Sequence, residues 1–93
     1  MASGKGPEVT DEIVVRGTGF ARRWPVGFGI GYVDEREPEI LIGVAATDLT
    51  TGNEAWHDVR RGEPFEVAGQ TWEVAEVRYG FGMKREVVLR RTA

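Results

Sequence analysis

The sequence predicts an all-β protein: a small single-domain β-barrel, or a compact sandwich, of six to seven mostly antiparallel strands. Three observations lead there. Runs of β-branched and aromatic residues alternate with polar ones and are cut at short intervals by Gly, Pro, Asp and Asn. No window sustains a helical 3.6-residue period; the best candidate, 45–60, is interrupted by Thr47, Thr50, Thr51 and Gly52. Glycine supplies 13 of the 93 residues, about double its usual roughly 7% share. Several glycines fall inside strand-like runs, where they mark bends or close backbone approach, and this placement favours the coiled barrel.

Taken in order, residues 1–8 read as a flexible tail and 9–93 as one domain. The first strand is EIVVRGTGF (12–20), followed by the loop ARRWP. GFGIGYV (27–33) is the second, closed by the acidic turn DEREPE with Pro38. EILIGVAA (39–46) is the third, and DLTTGN turns the chain with Gly52-Asn53 at its tip. EAWHDV (54–59) is the fourth, before the tight turn RRGE. PFEVAG leads into TWEVAEVRY (71–79), whose apolar positions 72 and 74, then 77 and 79, slip in parity. A one-residue bulge near Ala75-Glu76 explains the slip. REVVLRR (85–91) is the last strand.

Composition narrows the function classes. With 12 basic and 15 acidic residues the net charge is −3, without the basic excess of a phosphate-backbone binder. The absence of cysteine removes thiol nucleophiles, thiolate zinc sites and iron–sulfur clusters, and fits a reducing, cytoplasmic setting. No apolar run approaches the roughly 18 residues that span a bilayer. The opening MASGKGPE lacks the apolar segment of a signal peptide, so neither membrane nor export is expected.

The stretch GFGIGY (27–32) admits three readings. A phosphate cradle needs G-x-G-x-x-G opening a helix, and here the spacing is G-x-G-x-G with a β-like continuation. An exposed stacking platform would need its aromatics wet. A core strand would turn Phe28, Ile30 and Tyr32 inward together, since alternate residues share a face. The even-numbered face is the more apolar, so the sequence predicts that these three are buried and that the glycine face is bare, open to close crossing by another segment.

Two resemblances follow from these residues. Gly17-Thr18, then Gly27-Phe28-Gly29-Ile30 ten positions on, an acidic turn and Leu41-Ile42-Gly43-Val44 resemble the first three strands of a cold-shock domain. That likeness implies single-stranded nucleic-acid binding. It departs at Phe20-Ala21-Arg22-Arg23 and at Gly43, where the family's stacking aromatics and histidine are missing, and each stacked base contributes about 1–3 kcal/mol. The C-terminal half is similar to short actinobacterial proteins known as a domain of unknown function. Gly62, Glu63, Phe65, Val67, Trp72, Val74, Val77 and Val87-Val88-Leu89-Arg90-Arg91 follow their pattern, which implies an all-β fold and no activity.

Catalytic constellations are hard to assemble. His57 is the single histidine, too few for a usual zinc site, and as a general base it would need an orienting carboxylate. Asp58 points the other way along the strand, leaving Asp48 or a residue across the sheet. Ser3 is the only serine, so Ser-His-Asp and Cys-His sites are ruled out. Paired carboxylates exist among Glu35, Glu37, Glu39, Glu54 and Asp58, but a glycosidase-style pair needs a cleft. No catalytic residue, metal site or cofactor is expected.

The expected binding residues are Arg22, Arg23 and Trp24 with Tyr79, Phe81, Lys84 and Arg85, cationic and aromatic residues interleaved in two glycine-flanked loops. The plain alternative has Trp24 and Phe81 plugging the barrel ends. The sequence thus reads as a non-catalytic binding or accessory module for a protein partner, or a homo-oligomer. Two rivals stay open. One is a single-stranded nucleic-acid binder of the cold-shock type, which the charge disfavours. The other is a small-molecule binding or isomerising protein whose pocket is lined by Phe28, Tyr32, Trp56 and Trp72.

Overall fold

A computed structural model describes residues 11–36, 39–79 and 84–93. The expected tail, Glu37, Pro38 and Phe81 lie outside the described residues. Eight antiparallel strands form two four-stranded sheets. They are β1 (Glu12–Arg16), β2 (Phe20–Arg23), β3 (Val26–Asp34), β4 (Leu41–Asp48), β5 (Asn53–Arg60), β6 (Phe65–Val67), β7 (Gln70–Tyr79) and β8 (Arg85–Arg91). The first sheet has the order β1-β8-β7-β6 and the second β2-β3-β4-β5. Neither sheet closes on itself or on the other, so the architecture is the sandwich and not the barrel.

The strand count exceeds the expected six to seven because one expected strand divides. Residues 12–20 break at Gly17–Gly19: Gly17 has φ +57°, and the N–H of Gly19 closes a turn onto the Arg16 carbonyl at 2.8 Å. The chain thereby passes from the first sheet to the second. The expected loop ARRWP is mostly strand, with Phe20–Arg23 paired to Gly29–Val26 and only Trp24-Pro25 left at the hairpin tip.

Apolar side chains from both inner faces meet in one core. Trp72, Phe28, Ile42, Leu89, Val15, Val26, Val44, Val74 and Val87 are fully buried. Phe28 sits edge-on to Trp72 at 4.9 Å and to Phe65 at 6.0 Å between ring centroids, an arrangement that aligns ring edges with ring faces. The pattern read in the C-terminal half holds: Phe65, Val67, Trp72 and Val74 all point into this core. The expected bulge is present, as β7 slips against β8 between Val74 and Glu76.

A second bulge, between Ile30 and Tyr32 in β3, corrects the reading of GFGIGY. Phe28 and Ile30 are buried as expected, but Gly31 is the extra residue, and Tyr32 therefore emerges on the outer face. Val33 takes the inward place and packs against the core.

Candidate functional site

The outer faces of the two sheets differ in kind. On the first, charges alternate in rows across the strands. Arg90 of β8 lies between Glu12 of β1 and Glu73 of β7, and Glu86 lies between Arg16 and Arg78, both at 2.9 Å. Most charges there have a partner of opposite sign, with Glu66 of β6 outside these pairs among the described residues, which suits a solvated surface.

The second sheet's outer face carries glycine and rings. Register places Phe20, Gly29, Ala45 and Trp56 in one row across β2–β5, Arg22, Gly27, Thr47 and Glu54 in the next, and Tyr32, Gly43 and Asp58 on the other side. The expected bare face is thus confirmed in its glycines, and side chains, not another backbone segment, cover it. Phe20 lies over Gly27, while Trp56 reaches across β4 to lie over Gly43 and Gly31. A Cβ at Gly27, Gly31 or Gly43 would collide with these rings. Phe20 and Trp56 nevertheless remain about half exposed, at 49% and 51%.

Asp58 fixes the deck. Its Oδ1 accepts from the Tyr32 hydroxyl at 2.6 Å and from the Trp56 indole Nε1 at 2.8 Å. Those two donors, the phenol first, hold the Asp58 carboxyl below its ordinary range. Reciprocally, the Asp58 hydrogen bond, with burial and the charges of Asp58 and Asp34, raises the Tyr32 phenol. Tyr32 and Trp56 stand 6.1 Å apart at a 35° tilt, and the Arg22 guanidinium lies 5.6 Å from the Phe20 ring centre. The surface therefore presents ring faces beside an ionised carboxylate.

The expected binding residues do not form one cluster. Arg22 sits on the rim of the deck, and Trp24, 71% exposed, projects at the adjoining hairpin tip rather than plugging an end of the fold. Arg23 has the opposite parity and turns toward the first sheet, reaching Asp11 at 3.3 Å and the Glu12 carbonyl at 2.7 Å. Tyr79 and Arg85 are cross-strand partners at the far end of β7 and β8, with Lys84 beside them. The tip lies near Asp11, which also meets Arg91, whereas Arg85 accepts from Gly17 at the other end of β1, so the two halves occupy opposite ends of the domain. Tyr79 donates to Glu35 and is half exposed.

The expected pocket is divided in the same way: Phe28 and Trp72 fill the core, while Tyr32 and Trp56 lie outside it. A surface cleft of about 570 Å³ lies elsewhere, lined by Glu39, Ile40, Arg60, Arg61 and Glu63, with Arg60 bound to both glutamates. His57 faces inward and stacks on Phe65 at 5.0 Å. Neither carboxylate considered for it is placed to orient it, since Asp58 serves the deck and Asp48 binds the Thr50 N–H and hydroxyl. Among the described residues no group of three or more His, Asp or Glu could hold a metal ion, and no helix is long and apolar enough to cross a membrane.

Sequence reasoning does not reach the deck because alternation turns Tyr32 inward and Phe20 ends the expected first strand. The signal was the combination of Gly43 with Trp56 on neighbouring strands. A family model described as a family of unknown function, DUF6406, matches residues 7–93. The chain belongs to that family. No curated protein and no solved structure matches it.

Proposed function

We propose that this DUF6406 protein is a non-catalytic binding module for a protein partner, and that the deck of Phe20, Tyr32 and Trp56 is its recognition face. The observation behind this reading is the asymmetry of the two outer faces, one satisfied by ion pairs, the other holding half-exposed aromatic rings. Aromatic side chains kept in place before binding cost little ordering entropy, and Trp and Tyr are the commonest energetic centres of interfaces. The partner is a segment that brings an arginine or lysine beside apolar side chains. A cation over the Trp56 face gains from the ring quadrupole, and the Asp58 carboxylate stands next to it.

Single-stranded nucleic acid, as the cold-shock likeness implies, is the rival. The exposed rings and Arg22 favour it, while Asp58 and Glu54 on the same face oppose phosphate. The hairpin tip with Trp24 extends the first reading as a second contact for the same partner.

Selection of displayed random peptides on the wild-type protein tests the proposal. The expected outcome is a basic, apolar consensus whose binding falls about tenfold or more in Trp56→Ala. An acidic consensus, equal binding to Trp56→Ala, or stronger binding of oligonucleotides with steep salt dependence would contradict it.

A further inference from the structure

We propose that the basic segment read by the deck binds as a fifth strand of the second sheet. It lies extended and antiparallel along β5, with basic side chains opposite Glu54 and Asp58 and an apolar one opposite Trp56. The inference rests on the deck as the recognition face and adds how its partner is held. Four strands lie at sheet edges, and β5, with eight residues, is longer than β1 (five), β2 (four) and β6 (three). Among the described residues no strand pairs with its outer side. Leu49 donates to the Pro25 carbonyl at 2.8 Å, so odd residues of β4 bond to β3 and even ones to β5. Since Asp48 opposes Asn53, odd residues of β5 are satisfied by β4 and even ones face outward. Glu63 closes the far end: its Oε1 takes the Arg60 N–H at 2.8 Å, and its own N–H returns to the Arg60 carbonyl at 3.0 Å. The N–H and C=O groups of Glu54, Trp56 and Asp58 remain as an open ladder.

The charges along that ladder select its occupant. Glu54, Trp56 and Asp58 share the outer face, so the open stretch carries a carboxylate at each end and an indole between them. Neither carboxylate meets a cation among the described residues: Glu54 makes no ion pair, and Asp58 accepts only from the neutral Tyr32 hydroxyl and Trp56 indole. Directly opposed residues of an antiparallel pair share a face, and opposite charges there attract while like charges destabilise. A strand that fits therefore reads basic, any, apolar, any, basic. Its cation opposite Asp58 also stands beside the indole bonded to that carboxylate. Trp56 leans over Gly43 and Gly31, away from the edge, which leaves room opposite it for an apolar side chain. The same carboxylates reject a second copy of β5, since matching ladder to ladder sets Glu54 against Asp58 at both ends. Residues 1–10 hold one lysine and no arginine, so the chain's own beginning does not supply the pattern.

Calorimetric titration of the full chain with the acetylated, amidated peptide Thr-Arg-Thr-Leu-Thr-Arg-Thr tests it. The leucine N–H points at β5 and that of the threonine before it points away. Methylating the leucine nitrogen should weaken binding about tenfold or more, and methylating the threonine nitrogen should change it by less than about twofold. Asp58→Asn, which keeps an acceptor for both rings, should weaken binding about threefold or more, and Glu54→Lys by at least as much. Because the strands run antiparallel, replacing the C-terminal arginine of the peptide by glutamate should restore binding to Glu54→Lys. Equal effects of the two methylations, with dependence on Trp56 retained, overturn the added strand and leave the deck reading standing. Binding unchanged in Trp56→Ala overturns both. No binding of the parent peptide, or a dimer in sedimentation that the peptide leaves intact, also overturns the inference.

Discussion

Asp58 shows how one carboxylate can order a surface. It is exposed, yet it accepts from both the phenol and the indole, so two large rings share one anchor. Its lowered pKa fixes the sign of a pH effect. The stabilisation is fully present above the ordinary aspartate value of 3.8 and is lost as pH falls through the lowered one. Tyr32 mirrors it: its contribution holds below the ordinary 10.0 and is lost as pH rises through the raised value. Between about pH 5 and about pH 2 the Trp56 indole N–H resonance should therefore move, while that of Trp72, bonded to Gln70 at 3.0 Å, stays still. Co-titration of both resonances would detach Asp58 from the deck. The floor is tested by Gly43→Ala, expected to destabilise by about 1–3 kcal/mol because a Cβ strikes both rings. In a Trp56→Ala background the cost should fall, since one ring is gone, and denaturant unfolding of the four proteins of that cycle measures the difference. At this scale the sequence disclosed the inward Phe28 and Ile30 but not Tyr32. Gly31 has no side chain to betray a bulge, and a tyrosine suits either face.

Strands and turns were more legible where side chains record the geometry. The β7 bulge could be read because Trp72 and Val74, then Val77 and Tyr79, change parity around it, and the structure has it between Val74 and Glu76. The β1–β2 break could not, because GTG continues a strand pattern while Gly17 takes the left-handed conformation. The β6–β7 hairpin has a two-residue turn in which Ala68 (φ +52°) and Gly69 (φ +77°) are both left-handed. A turn with both central residues at positive φ is best served by Asn-Gly, and an alanine there is strained. Ala68→Asn should accordingly raise stability by about 0.5–1 kcal/mol in thermal or denaturant unfolding; destabilisation would mean that the Ala68 methyl, which packs against the core, matters more than its backbone.

The whole molecule is a sandwich with one face given to water and one to rings. Its inner packing is centred on Trp72 and Phe28, so Trp72→Ala should cost about 3–5 kcal/mol in denaturant unfolding, against a much smaller loss for the half-exposed Trp56→Ala. Alternation and glycine content disclosed the all-β class, but not the choice of sandwich over barrel. That choice depends on which strands lie at the sheet edges, and edge strands such as β5 carry the same alternating pattern as central ones. Arg22 and Trp24 on one side, and Tyr79, Lys84 and Arg85 on the other, belong to segments that look alike in sequence, yet strand order sends these residues to opposite ends, information no local window holds. The recognition face can be located directly by heteronuclear NMR, following amide and indole resonances as a selected basic peptide is added. The predicted result is perturbation of the Trp56 indole and the Gly31 and Gly43 amides, with the Val14 and Val88 amides of the first sheet unmoved. Shifts confined to the first sheet, or to the Tyr79–Arg85 end, would contradict it.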